Sequence, residues 1–198
     1  MPPAPGHSPA VTLPDLILAS ASPRRQELLR QCGVRFEVVP ADTPERDDDA
    51  LTARELAQLN AHRKARAVAK RYPDRLVLGA DTVVACGPRL YGKPADRADA
   101  LRMLGELQGR THEVVTGVCL LHLRAHRECL FAEATAVTFR PLSEAQLRDY
   151  LARVHPLDKA GAYAIQEHGE LLVAEIVGSY SNVVGLPVER LLAVLRNW

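Results

Sequence analysis

Apolar and polar positions along the chain follow two periods, and the places where one gives way to the other outline the fold. Leu16-Ile17-Leu18 is an unbroken apolar run, the pattern of a short buried strand. It runs into Ser20-Ala21-Ser22-Pro23. Ser22 is a good helix N-cap, and Pro23 suits the first helical position, where its missing N–H would have no partner anyway. The helix that follows keeps Leu28, Leu29 and Cys32 on one side and stops at Gly33. Phe36 to Pro40 reads as a strand and residues 41–50 as a polar, acidic loop. Thr52-Ala53-Arg54-Glu55 is a capping box that opens a long helix to about Arg71, with Ala53, Ala57, Asn60 and Lys64 on one stripe.

Leu76 to Val84 is apolar enough for a central strand covered on both faces, yet Asp81 interrupts it. Gly87-Pro88 marks a turn, and Asp96 to Leu107 a helix closed by Gly109. Thr111 to Leu123 and Glu128 to Phe139 read as a long antiparallel pair with a polar tip at Arg124-Ala125-His126-Arg127. A second capping box, Ser143 to Gln146, starts a helix to about Ala152. Leu171 to Val177 is a strand, and Pro187 opens a last helix to about Leu195. Strands alternating with helices, plus a long hairpin, predict a mixed α/β fold. The expected architecture is an elongated mixed sheet flanked by helices, with two lobes around a cleft. Residues 15–198 read as a single domain. Residues 1–14, with five prolines and no basic segment, read as a disordered leader.

Composition adds mainly exclusions. At 198 residues, 47% hydrophobic and 25% charged, the chain is an ordinary globular protein with enough length for a sizeable core. A net charge of +1 provides no field favouring a nucleic acid polymer or an acidic membrane, so any anion must be bound by a local cluster. Cys32, Cys86, Cys119 and Cys129 lack C-x-x-C spacing and read as buried thiols of a reducing, cytoplasmic compartment. No apolar run approaches the length of a membrane span.

Candidate chemistry concentrates in a few places. The strand–turn–helix at 16–30 offers free N–H groups and the positive end of a helix dipole, and Arg24 and Arg25 sit in a first turn that normally prefers acids. A phosphate group would favour them there. Asp81 would be costly if buried without partners, and Gly79 and Ala80 leave room for a ligand beside it. A hard cation such as magnesium takes one or two carboxylates beside phosphate oxygens. Other motifs fail. Gly87 to Lys93 matches most of a P-loop, but Pro94 stands where a Ser or Thr must hold magnesium. His122 and His126 fall on a hairpin tip with no third ligand, and no G-x-S-x-G supports a serine triad around Ser20 or Ser22.

Taken together, Leu18 to Arg25, Leu78 to Val84, Gly92-Lys93-Pro94, Leu107 to His112, Asp158 to Gln166 and Gly178 to Pro187 resemble the Maf family of nucleoside triphosphate pyrophosphatases. The match runs in order over about residues 16–197. The resemblance implies an α/β fold similar to the inosine triphosphate pyrophosphatases, usually a homodimer, and Mg²⁺- or Mn²⁺-dependent hydrolysis of a nucleoside triphosphate to monophosphate and pyrophosphate. It carries the active-site residues onto Ser20, Arg24, Arg25, Glu45, Lys64, Asp81, Lys93 and Gln166. Asp81, Glu45 and Lys93 would be catalytic, the two carboxylates holding the metal. Ser20, Arg24, Arg25, Lys64 and Gln166 would bind substrate. Gln166 matches the dTTP/UTP branch. The alternatives are a branch acting on 7-methyl-GTP and a nucleotide-binding regulator of cell division. Glu167 replaces a residue that is commonly glycine, and the polar turn Glu167 to Glu170 places it toward solvent.

Overall fold

The computed structural model describes residues 14–48 and 50–198. The expected leader therefore lies, except for Pro14, outside the described residues. In chain order the elements are β1 (Leu16–Leu18), α1 (Pro23–Gln31), β2 (Phe36–Val38), α2 (Ala53–Ala69), β3 (Leu76–Cys86), β4 (Arg89–Tyr91) and α3 (Arg97–Leu107). There follow β5 (Thr111–His122), β6 (Arg127–Phe139), α4 (Glu144–Arg153), α5 (Gly169–Leu172), β7 (Val173–Val177), α6 (Tyr180–Val184) and α7 (Val188–Arg196). The strands form one seven-stranded mixed sheet in the order β2-β1-β3-β5-β6-β7, with β4 also on β3.

β3 organises the sheet. One edge pairs antiparallel with β5 from Val77 to Ala85. The other edge is shared: β1 runs parallel to residues 76–78, and β4 runs antiparallel to residues 84–86. Between these partners residues 79–83 have no neighbouring strand on that edge, and this gap is the floor of a cleft. Successive side chains on a strand point to opposite faces. Val77, Gly79, Asp81 and Val83 therefore face α2, while Leu78, Ala80, Thr82 and Val84 face the other layer.

On the first face α2 lies very close to the sheet because two glycines admit it. A Cβ on Gly79 would stand 2.2 Å from the Ala61 carbonyl oxygen, and one on Gly117 2.3 Å from that of Ala57. Gly117 is opposite Asp81 in the β3–β5 register. Ala57, Ala61, Ala65 and Ala69 complete the close contact from the helix side, all fully buried. On the second face Leu18, Leu78, Val118 and Leu120 pack with α1, α6 and α7, and Val84, Val114 and Phe139 pack with α3 and α4.

Both capping boxes form as expected, at Thr52/Glu55 and Ser143/Gln146. Gly33, at φ +68°, closes α1 with bonds from Gly33 N–H to the Arg30 carbonyl and from Val34 N–H to that of Leu29. Boundaries shift elsewhere. α2 ends at Ala69, not Arg71. Residues 169–172 form a helical turn, so the strand expected from Leu171 begins at Val173. Pro187 is the cap of α7 and not its first residue. The thiols are free, but Cys32 and Cys129 are half-buried where full burial was expected: Cys32 caps the end of α1, and both pack at the margin of the core on the α1 and α7 side of the sheet.

Beneath the cleft a cluster of aromatic rings carries a titratable group. His112 is 2% exposed. Its Nε2 is 2.8 Å from the Tyr163 hydroxyl, and Phe139 and Tyr163 meet its ring edge-on. Burial lowers its pKa to about 4. The unfolded chain takes up this proton first, near pH 6.5, so stability is complete above that pH and is lost as pH falls toward 4. The shift corresponds to roughly 3 kcal/mol at most. Chemical denaturation of wild type and His112→Leu between pH 4 and 7 is expected to show a shallower slope in the variant; equal slopes would remove His112 from this role.

Candidate active site

After β1 the chain turns through Ser20 and Ser22 into α1. Ser22 caps the helix, accepting from Arg25 N–H at 3.5 Å, and its own N–H donates to Ser20 Oγ at 3.2 Å. Arg25 folds back beneath this turn. Its Nε donates to the Gly185 carbonyl at 2.8 Å, Nη1 to Ser20 Oγ at 3.2 Å and Nη2 to Thr82 Oγ1 at 3.0 Å. Burial lowers its pKa, opposed by the charges of Asp81 and Glu45, yet a guanidinium remains a cation. Arg24 points the other way, with Nη1 on Asp158 Oδ2 at 3.0 Å and Nη2 on the Asp158 carbonyl at 3.3 Å.

Asp81 is 5% exposed on the α2 face of β3. Lys64, one helical turn beyond Asn60 on α2, donates to Asp81 Oδ1 at 2.6 Å and to Glu45 Oε1 at 2.7 Å. One ammonium group thus stands between two carboxylates. Lys93, just after β4, holds Glu45 from the other side with 2.9 Å contacts to both oxygens. Asp81 Oδ2 accepts from Asn60 Nδ2 at 3.2 Å. The two acids are pushed apart. Burial, reinforced by the charge of Glu45, raises the Asp81 pKa against the pull of Lys64. For Glu45 burial acts in the same direction, but Lys64 and then Lys93 outweigh it and bring the pKa to about 2. Two carboxylates with diverging affinities for a proton are the arrangement acid–base chemistry uses.

Gln166 lies in the turn 165–168 and is exposed. Two buried tyrosines fix the chain leading into it. Tyr150 Oη accepts from Ala164 N–H at 3.2 Å, and Tyr163 meets His112. Glu167 stays out of the cavity lining, as the sequence suggests, and its side chain is 39% exposed, but it is tied by an ion pair. Its Oε1 lies 3.1 Å from Nζ of Lys159, whose side chain is only 4% exposed. A buried ammonium group needs acceptors, and Glu167 joins the His155 carbonyl (2.6 Å) and Asp158 Oδ1 (2.8 Å) in supplying them.

Ser20, Arg24, Arg25, Glu45, Lys64, Asp81, Lys93 and Gln166 all line one cavity of about 860 Å³. The structure brings together every residue expected in the site. It differs from a bare cationic cradle, however, because each of the four cations already has an anionic or polar partner. The Gly87-Pro88 segment is the β3–β4 turn and not a strand-to-helix loop, so a P-loop is absent there. His122 stays at the hairpin tip, its Nδ1 accepting from Ala125 N–H at 3.2 Å. Residues the sequence reading left out are Asn60, Thr82, Asp158, Lys159 and Gly185. Thr82, Asp158, Lys159 and Gly185 lie inside the stretches that carry the family resemblance, and Asn60 is a polar residue on the α2 stripe with Lys64.

Among the described residues no group of three or more His, Cys, Asp or Glu side chains forms a closed metal cage. The donor set of Asp81 and Glu45 is all oxygen and leaves positions for a phosphate and water, which suits a hard divalent cation.

The fold and the cleft define a mixed α/β protein of the kind seen in the structure of a HAM1 protein from Coxiella burnetii. That structure shares 16% identity and a TM-score of 0.51, with 94% of this chain and 100% of the other covered, a likeness of fold alone. The Maf-like protein family model matches residues 15–198, and the chain belongs to the Maf family. Among its relatives, proteins named dTTP/UTP pyrophosphatase are 50% identical in Symbiobacterium thermophilum (92% of this chain, 93% of the relative) and 53% identical in Gloeobacter violaceus (92% and 95%). A third, from Carboxydothermus hydrogenoformans, is 47% identical over 92% of this chain and 98% of its own.

Proposed function

We propose that this chain hydrolyses dTTP and UTP to the nucleoside monophosphate and pyrophosphate. The observation that carries the reading is the pair of carboxylates, Asp81 and Glu45, held around Lys64 in a cavity lined by further cations and by Gln166. Relatives at 47–53% identity that are named for this activity support it. In the reaction a water oxygen bonds to the α-phosphorus, the bond from that phosphorus to the bridging oxygen breaks, and pyrophosphate leaves. Asp81, whose burial makes it the stronger base of the pair, orients the water and accepts its proton. Arg24 and Lys93 meet the phosphate oxygens, exchanging contacts with Asp158 and Glu45 for contacts with substrate. Arg25 and Ser20 keep the turn beneath them in place, and Lys64 spaces the two acids. A divalent cation such as Mg²⁺ or Mn²⁺, held by Asp81 and Glu45, would supply charge for the triphosphate and the departing pyrophosphate. The reading includes a homodimer, which rests on the family resemblance, and a cytoplasmic location, which rests on the cysteine pattern. The described residues contain no helix long and apolar enough to cross a membrane.

Gln166 sets the base preference in this reading. Its amide offers a donor and an acceptor, matching the O4 acceptor and N3–H donor shared by thymine and uracil. A methylated guanine is cationic and would call for a carboxylate. The nearest candidate, Glu167, already serves Lys159. Pyrophosphate release measured with and without Mg²⁺ is expected to give a higher kcat/KM on dTTP and UTP than on 7-methyl-GTP, and Gln166→Glu is expected to weaken use of both pyrimidines. A clear preference for 7-methyl-GTP would overturn the assignment of Gln166.

A further inference from the structure

We propose that Asn60 is a positioning residue that clamps the Glu45 loop to β3 and so fixes the separation of the two carboxylates. The inference rests on the functional reading above for its kinetic consequence, but not for its geometry. Asn60 is 3% exposed on α2, with both ends of its amide engaged. Oδ1 accepts from Arg46 N–H at 2.9 Å, and Nδ2 donates to the Arg46 carbonyl at 3.0 Å. This two-point contact is what a neighbouring strand would make to the same residue. The remaining amide hydrogen reaches Asp81 Oδ2 at 3.2 Å. One side chain therefore binds the backbone next to Glu45 and the carboxylate of Asp81 at once.

The loop needs such a clamp. Residues 39–48 have no regular secondary structure, so no ladder of backbone bonds fixes where Glu45 stands. Lys64 and Lys93 grip the Glu45 side chain, but Lys64 divides its ammonium group between Glu45 and Asp81, and Lys93 is the cation that, in the proposed reading, turns to substrate phosphate. Asn60 acts instead on the backbone, from a helix held against the sheet by Gly79 and Gly117. The residue type is restricted. An aspartate would place its second oxygen against both the Arg46 carbonyl and Asp81, and a leucine would fill the space without pairing with either.

Because Asn60 makes no bond to Arg24 or Lys93, its loss should alter turnover and not capture of the triphosphate. The test uses the full chain carrying Asn60→Leu or Asn60→Asp, with steady-state kinetics on dTTP and hydrogen exchange of the Arg46 amide. Both variants are expected to lose roughly tenfold to a hundredfold in kcat, the scale of one buried hydrogen bond to a charged group. KM should stay within about threefold of wild type, as expected when transition-state stabilisation is lost and ground-state binding is kept. The Arg46 amide should exchange at least about tenfold faster in Asn60→Leu, where its acceptor is gone. Should one variant fail to fold, the other decides. A kcat within about twofold of wild type, a rise confined to KM, or unchanged Arg46 exchange in Asn60→Leu would each overturn the proposal. If wild type hydrolyses neither dTTP nor UTP, the functional reading fails by itself, and the exchange measurement still decides whether the clamp exists.

Discussion

Asp81→Asn is expected to lower kcat on dTTP and UTP by at least about 100-fold while the protein stays folded, the scale on which removing one key electrostatic group acts. Asp81 is the buried member of the carboxylate pair, on the central strand and within 2.6 Å of Lys64. The amide is nearly the same size, so packing against Gly117 and α2 survives. Its oxygen can still accept from Lys64 only by turning its NH₂ toward Asn60 Nδ2, itself a donor, so one bond is lost, at about 1 kcal/mol. Removing a buried charge offsets part of that cost. What disappears is the negative charge and the basicity, and with them, in the proposed reading, the proton acceptor and one of the two carboxylates that would hold a metal. Thermal melting establishes that the variant is folded, and steady-state kinetics reads the loss. A folded Asp81→Asn protein with near-normal kcat would remove Asp81 from the mechanism.

Gly79→Val is expected to abolish folding at physiological temperature. A Cβ at position 79 would lie 2.2 Å from the Ala61 carbonyl oxygen and 2.7 Å from the Ala65 nitrogen, both backbone atoms of α2. No rotamer change relieves a clash with backbone. The helix must lift, and it carries Ala61, Ala65, Val68 and Ala69 out of a cluster that includes Val77 and Cys119. Uncovering Val68 costs about 1.5 to 3 kcal/mol and each alanine methyl about 0.8 kcal/mol, against a total stability of about 5 to 15 kcal/mol. Gly79→Ala meets the same atoms with a single methyl group and should lose several kcal/mol while retaining some folded protein. Circular dichroism and urea titration measure both, and a Gly79→Val protein with wild-type stability would show that α2 does not sit where the structure places it.

Sequence patterns made the elements legible where the signal is local. The capping residues Ser22, Thr52, Asp96 and Ser143 mark helix starts within a few residues, and the apolar runs on either side of Arg124 to Arg127 define the hairpin. α6 was missed because a helix of five residues has no periodicity to read, although Ser179 and Gly185 bracket it. The eight residues assigned to the site came from motif resemblance, with the chemistry of Asp81 and the Arg24–Arg25 turn pointing the same way. The pairings within the site were not legible. Arg24 with Asp158, Asn60 with Arg46 and Lys159 with Glu167 depend on how loops lie across the sheet, which no local pattern encodes. For Glu167 the polar neighbours place the side chain outside the cavity, but not on a buried lysine.

The unpaired stretch of β3 has a thermodynamic consequence. At residues 77–78 and 84–85 the central strand is braced on both edges, but over residues 79–83 one edge meets only the cleft. In the proposed reading a nucleotide seated there would span the interval between β1 and β4 that a strand would otherwise fill, and its binding free energy would become folding free energy. By mass action the gain is RT ln(1 + [L]/Kd), about 2.7 kcal/mol when ligand exceeds its dissociation constant a hundredfold. On that reading substrate abundance and resistance to unfolding are linked, and β1 and β4, which border the gap, are the strands a seated nucleotide would support.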